Sequence, residues 1–237
     1  MAEAPLPHAR EIKVLSGGAM RSLMVQAAPP FERATGAKVD VRFALTSVLA
    51  KEIEAGTPFD IALLPRPELD VLAGQGRIAA GTQTDIARSA VGLCVRSGAR
   101  RPDIGTVAAL KRVLLDAHSL GYSDGPSGAY VAGLLQRLGI AEQMQPKTRL
   151  TSAPVAELVA AGEAEIGIQQ IVAILPIAGA ELVGPLPSQL QNIIVYAAGL
   201  SARAGNAEGA RAFVAFLATA DIGSLIRALG MEPGGPD

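Results

Sequence analysis

The chain has 237 residues, of which 49% are apolar and 18% charged, a balance that fills a sizeable core and excludes a disordered protein. Lys and Arg number 21 against 22 Asp and Glu, so the net charge of -1 gives a nucleic-acid partner no electrostatic footprint. With no Trp, three Tyr and five Phe, platforms for stacking bases or sugars are scarce.

In chain order, the first ten residues, MAEAPLPHAR, carry no hydrophobic h-region. This start suits a periplasmic protein whose export signal has been trimmed, or otherwise a cytoplasmic one. Glu11 to Leu15 is predicted as the first strand, and Ser16-Gly17-Gly18 turns into a helix from Ala19 to about Thr35, interrupted at Pro29-Pro30 and stopped by Gly36. Lys38 to Phe43 alternates as strand two. Thr46-Ser47 supplies an N-cap for a helix ending at Gly56. Phe59 to Leu64 is strand three, closed by Pro65-Arg66-Pro67.

A second group of elements begins near Ser89. Ser89 to Arg96 is a strand that includes Cys94, the only cysteine. No intrachain disulfide can form, and the apolar run Val91 to Val95 predicts a buried structural thiol. Thr106 to Leu115 is a helix and Ser119 to Tyr122 a strand. A loop follows from Ser123 to Pro126, and Ser127 caps a helix that stops at Gly139. Thr148 to Leu150, Ile166 to Ile168, Glu181 to Val183 and Ile193 to Leu200 complete the strands, and Asn206 to Leu229 forms two helices. The greasiest stretch, Ile171 to Pro187, is broken by Pro176 and Pro185 and falls short of the ~20 residues that a membrane helix needs. His8 and His118 lack neighbours at zinc-ligand spacing, so neither a metal nor a cofactor is expected.

Strands alternating with helices give an α/β protein. Four places share one design, in which a strand ends, a small or hydroxyl-bearing loop follows and a helix starts: Ser16 to Ala19, Leu45 to Ser47, Ser123 to Ala129 and Gln169 to Ile171. Ligands of open α/β sheets bind outside the carboxyl ends of strands, where helix starts offer free N-H groups and partial positive charge, so the expected ligand is a small anion.

The candidate ligand-binding residues follow from that design. Ser16-Gly17-Gly18 is either a plain turn or a place where missing β-carbons let the backbone approach a ligand. Thr46 and Ser47 cap a helix and bring two hydroxyls. Ser123, Ser127, Gly128 and Tyr130 belong to a loop and helix start richer than a turn requires. Gln169 and Gln170 follow an apolar strand, and their amides need partners that a solute or the protein supplies. Arg21 lies in the first turn of the first helix and Arg66 directly follows a strand in a loop stiffened by two prolines; each would clamp a carboxylate if it reaches it. Enzyme signatures fail: Gly74-Gln75-Gly76 follows a helix rather than a strand, and no Ser/His/Asp set can be argued from the two histidines. Asp124 with Tyr130 leaves an acid/base pair open.

The segments VLSGGAM (Val14 to Met20), FERATGAKVDVRFALTSVLAKEIEAGTPFDIALL (Phe31 to Leu64), LDVLAGQGRI (Leu69 to Ile78) and VAAGEAEIGIQQ (Val159 to Gln170) resemble the molybdate-binding proteins of ABC importers and their relatives. The resemblance implies a two-lobed type II periplasmic-binding fold, each lobe a mixed sheet flanked by helices, with a ligand cleft at the hinge. The first lobe would hold residues 1–85 and 201–237, the second 86–200. It implies a monomer that closes on its ligand by hinge bending and passes a small anionic solute to an importer membrane complex. Gly18 stands where molybdate binders have a serine, Leu45-Thr46-Ser47 replace a serine run, and Gln169 or Gln170 replaces a late tyrosine. Those losses argue for a carboxylate over molybdate. The variants SGG, YSDGPSG and GEAEIGIQQ are similar to the branch that includes aconitate isomerase. Three functions follow: a non-catalytic receptor, an isomerase of unsaturated tricarboxylates, and an intracellular ligand sensor.

Overall fold

The computed structural model of the chain describes residues 11–124 and 126–235, with only the main chain of Pro126 and Ser127. The opening ten residues with His8, Gly125 and the Ser127 hydroxyl lie outside the described parts. The elements begin β1 (Glu11–Gly17), α1 (Arg21–Thr35), β2 (Lys38–Ala44), α2 (Thr46–Glu54), β3 (Ile61–Pro65), α3 (Arg66–Gly74) and β4 (Thr84–Ser89). They continue β5 (Val91–Arg96), α4 (Val107–Asp116), β6 (Leu120–Ser123), α5 (Pro126–Arg137), α6 (Ala141–Met144), β7 (Thr148–Thr151), α7 (Val155–Ala161), β8 (Ile166–Gln170), α8 (Ile171–Ile174) and β9 (Ala180–Pro185). The chain closes with β10 (Ile194–Leu200), α9 (Ala207–Leu217), α10 (Ala220–Ala228) and β11 (Glu232–Pro233).

Two compact units result, Met1–Arg88 with Ile194–Asp237, and Ser89–Ile193. The resemblance implies boundaries at 85/86 and 200/201; in the structure β10 belongs to the first sheet, where it runs antiparallel to β3.

The first sheet has the order β11-β4-β10-β3-β1-β2, with β1 parallel to both β2 and β3. From Val14 to Gly17 every residue of β1 is buried, as a strand covered on both faces requires. α1 buries Leu23, Met24, Ala27, Ala28 and Phe31, one stripe at helical spacing. Phe31 meets Phe213 and Phe216 of α9 with ring centroids 4.8 and 5.4 Å apart, which fixes α9 against α1. Contrary to the expected interruption, α1 runs through Pro29-Pro30. Both prolines are exposed, and the carbonyls that lose their N-H partners belong to the exposed Val25 and Gln26, where water can replace them.

The second sheet has the order β7-β6-β8-β5-β9. β6 is parallel to β7 and β8, and β5 is antiparallel to β8 and β9. Each sheet thus carries three parallel strands in the order second-first-third, followed by an antiparallel strand. The core of this unit joins Leu93, Leu110, Leu114, Leu120, Leu134 and Ile166. The expected single strand Ser89 to Arg96 is two, because Ala90 breaks the ladder between β4 and β5. β4 has no sequence signal of its own: polar residues flank the short apolar pair Ile86-Ala87 on both sides, and pairing with β10 and β11 makes it a strand. Cys94 is fully buried, as expected. No single described helix is long and apolar enough to cross a membrane.

Candidate functional site

In the first unit, the carboxyl ends of β2, β1 and β3 lie side by side. Gly17 is level with Ala44, and Ser16 with Leu63. Ser16 is fully buried, its hydroxyl donating only a 3.2 Å bond to the Gly17 carbonyl. Gly17 leads through a 3-10 turn, Gly18–Met20, into α1. Neither Gly17 nor Gly18 takes a positive φ. A β-carbon on Gly17 would meet Thr46 Oγ1 at an ordinary 3.6 Å, and one on Gly18 would meet nothing within 4 Å. Neither glycine is demanded by a positive φ; Gly18 borders open space, while Gly17 is buried beside Thr46 and the Leu63 carbonyl.

α2 starts at Thr46, after Leu45 rather than on a Thr46 or Ser47 cap. The expected capping bond is absent because both hydroxyl residues already have helical positions, one step too late to reach back to the first turn. No side chain caps this helix, so the first-turn N-H groups at Thr46 and Ser47 face outward without an intrahelical partner. Leu45 and Ser47 are exposed. Arg21 opens α1 and lays its guanidinium over the Phe43 ring at 4.1 Å from the centroid. Nothing in the residue pattern singles out Phe43, which stands level with Ser16 in the register of β1 and β2.

Arg66 opens α3, but its guanidinium is taken up within the unit. Nε bonds Asp70 Oδ1 at 2.8 Å and Nη1 bonds Asp85 Oδ1 at 2.7 Å. Those two hydrogen-bonded carboxylates raise its pKa further.

In the second unit, Ser123 closes β6 opposite Thr151 of β7. β8 lies on the other side of β6, with Leu120 level with Ile166 and Gly121 with Gly167, and Gln169 and Gln170 are the last two residues of β8. α5 starts hard against this strand end: a β-carbon on Gly128 would sit 1.6 Å from the Ser123 carbonyl oxygen. Glycine at 128 is therefore a packing requirement. α5 starts at Pro126, one residue before the Ser127 expected to precede it. Asp124 is exposed, and its N-H donates to the Thr151 carbonyl at 3.0 Å.

Gln169 is 8% exposed. Its Oε1 accepts the N-H of Val155, the first residue of α7, at 2.7 Å, and its Nε2 is buried with no partner. Gln170 is half-buried, the last residue of β8, and leads directly into α8. Tyr130 lies further along α5. Its hydroxyl donates to the Leu190 carbonyl, Arg137 stands 5.6 Å from its ring centroid, and burial raises its pKa. The hydroxyl is committed to a carbonyl, which leaves the Asp124 and Tyr130 acid/base pairing without geometric support.

The structure thus brings Ser16, Gly17, Gly18, Arg21 and Thr46 to one strand edge of the first unit. It brings Ser123, Gly128, Gln169 and Gln170 to one strand edge of the second. A groove of about 500 Å3 elsewhere on the second unit, lined by Tyr122, Leu135, Gln136, Glu142 and Leu150 among others, has no basic side chain in its lining. It does not suit an anion. Among the described residues no group of His, Cys, Asp or Glu could hold a metal ion.

Two α/β units, each with parallel strands in second-first-third order and an antiparallel strand beside them, define a type II periplasmic-binding-protein fold. Solved structures agree. A domain described as the substrate-binding part of a molybdenum ABC transporter from Clostridium difficile superposes with a TM-score of 0.80 at 15% identity, covering 95% of this chain and 99% of that one. The Azotobacter vinelandii periplasmic molybdate-binding protein does so with 0.76 at 18%, covering 95% and 100%. The family model for bacterial extracellular solute-binding proteins matches residues 12–232, and the chain belongs to that family. An aconitate isomerase from Pseudomonas sp. is 32% identical over 243 residues, spanning 98% of this chain and 93% of the relative.

Proposed function

We propose that the chain captures a small anion bearing several carboxylates, with donors supplied by its strand-end loops, and that it works in the periplasm as the receptor of an ABC importer. The observation that carries this reading is the Gly17-Gly18 turn. Two glycines that neither the backbone angles nor the packing demand leave bare main chain beside the uncapped start of α2. Bare N-H groups at helix starts suit oxyanions of any kind. The preference for carboxylates over molybdate rests on the hydroxyls that molybdate binders carry at these positions and this chain lacks.

Thermal-shift measurements against trans-aconitate, cis-aconitate, citrate, molybdate, tungstate and sulfate test the proposal, because a ligand that binds only the native state raises the melting temperature. The carboxylates are expected to give the larger shifts. A tight molybdate response with no carboxylate effect would sink the choice of ligand.

A second reading, an isomerase acting on the same ligand, is supported by the 32% identity to an aconitate isomerase along nearly the whole chain. Moving a double bond along such a tricarboxylate takes a proton from a methylene carbon and returns one to the far alkene carbon, with no net change in composition. Incubating the purified protein with trans-aconitate and following the cis isomer separates the readings, since a pure receptor binds without turnover.

A further inference from the structure

Gln169 lies on the face of β8 that α7 covers. Two residues earlier on that face, a β-carbon on Gly167 would run into Val155, Cys94 and Val159 at 2.8 to 2.9 Å, so the surroundings of this strand end are tightly packed. A carboxamide is ambiguous in principle, because its oxygen and nitrogen are alike in shape. Here the ambiguity is removed: the atom 2.7 Å from Val155 faces an N-H donor and must be the acceptor oxygen, since the reverse orientation sets two donors against each other. Nε2 is therefore fixed as the other end of the group. It is a donor, buried in a side chain only 8% exposed, and no acceptor among the described residues meets it.

A protein keeps a buried unmet donor only where something else accepts from it or where the cost serves a function. Gln169 is the penultimate residue of β8, which runs parallel to β6, so it stands at the carboxyl strand edge where α/β proteins receive ligands.

We infer that Gln169 sets the polarity of the group the second unit recognises: Nε2 donates to an acceptor oxygen of the solute, a carboxylate or oxyanion oxygen, and a solute presenting an ammonium group there is rejected. The inference rests on the anion-capture reading and adds the residue and the kind of atom it recognises. Val155 is the partner that makes the selection one-sided. By holding Oε1 it prevents the amide from turning over to receive a donor, so the preference follows from the main chain of α7 as well as from the side chain itself.

The test uses the whole chain and a panel of trans-aconitate, citrate, molybdate and putrescine. Gln169→Glu keeps an oxygen on the Val155 N-H and replaces the donor by an acceptor, while Gln169→Met removes both. The anion that stabilises the wild type should lose affinity by about 10- to 100-fold in Gln169→Glu, the range expected for a lost hydrogen bond to a charged group together with the new repulsion. Should neither variant fold, the wild type answers alone: the side-chain amide protons of Gln169, assigned through their proximity to the Val155 amide, should move on saturation with that anion. Unchanged affinity in the variants, or an amide signal that stays still at saturation, overturns the inference. So does putrescine binding that depends on Gln169. If molybdate binds in place of the carboxylates and still depends on Gln169, the carboxylate reading falls and the role of Gln169 stands. If trans-aconitate binds equally well without Gln169, the reverse holds. If no anion of the panel raises the melting temperature, both are refuted.

Discussion

The side-chain carboxamide of Gln191 is bonded to both main-chain groups of Val91, accepting from its N-H at 2.8 Å and donating to its carbonyl at 3.0 Å. The same carboxamide accepts from Asn192 N-H at 2.9 Å and donates to the Leu186 carbonyl at 3.2 Å. Val91 opens β5 just after the chain enters the second unit, and Gln191 stands just before it leaves at Ile193. One side chain thus ties the way in to the way out, imitating the ladder that a further strand would make.

Gln191→Ala should destabilise the second unit by roughly 1 to 3 kcal/mol, because the Val91 N-H loses its partner while the Val91 carbonyl keeps the Leu186 N-H at 3.0 Å. Hydrogen exchange gives the specific readout. Protection should fall at the Val91 and Asn192 amides and remain at Leu93 and Val95 in the middle of β5. Uniform loss along β5 would contradict a local tie.

Asp60 is the corresponding tie in the first unit. It is 4% exposed, and its two oxygens accept from the N-H groups of Lys13 at 2.8 Å and Asn206 at 2.9 Å, joining the start of β1 to the cap of α9. Asp60→Ala leaves two N-H groups unmet and should cost roughly 3 kcal/mol or more, read from the denaturant midpoint. Asp60→Asn retains one acceptor oxygen but sets its amide nitrogen against the other N-H, so it should recover only part of that loss. Equal effects for the two variants would show that the charge, and not the two bonds, holds the junction.

The parts of this architecture that were legible in the sequence are those written in local chemistry. Apolar runs marked β1, β3, β6 and β8, and glycines after helices marked their ends, because each signal sits within a few residues of what it causes. Long-range partners were not legible. Gln191 and Val91 are a hundred residues apart, and nothing in LPSQLQN distinguishes Gln191 from Gln189 before the chain is folded. Arg66 illustrates the same limit at the site: an arginine just past a strand, between two prolines, reads as a clamp, yet Asp85, nineteen residues on, already holds it. The asymmetry of Gln169, one end met and one end unmet, depends on where α7 begins, and α7 had no sequence signal strong enough to place it.

The pH dependence of stability should carry a contribution from Cys94. Burial pushes its thiol up to about 11, whereas an unfolded chain ionises near 8.5, so the unfolded state loses its proton first as pH rises. The contribution is complete below about pH 8.5 and is lost between there and about 11, at up to about 1.4 kcal/mol per pH unit. Cys94→Ala removes that slope, so stability against pH for the two proteins should run parallel up to about pH 8 and diverge above it. Curves that stay parallel to pH 10 would show that the thiol ionises freely in the folded chain. A thiol reagent should likewise leave native Cys94 untouched at neutral pH and modify it on unfolding.

Gly18→Ala separates folding from binding at the turn between β1 and α1. Gly18 takes no positive φ, and an added β-carbon meets no atom within 4 Å, so the substitution introduces neither strain nor a clash. By restricting the unfolded chain it should stabilise the protein slightly, on the order of 0.4 to 1 kcal/mol. If the open space beside the turn is where the solute meets bare main chain, the same methyl group should weaken capture of the stabilising anion by about tenfold or more, since a misfit of one carbon atom is felt at close backbone approach. Calorimetric titration together with thermal melts checks both halves. A variant that melts higher and binds as well as the wild type would remove the turn from the binding machinery and leave Gly18 without a structural explanation.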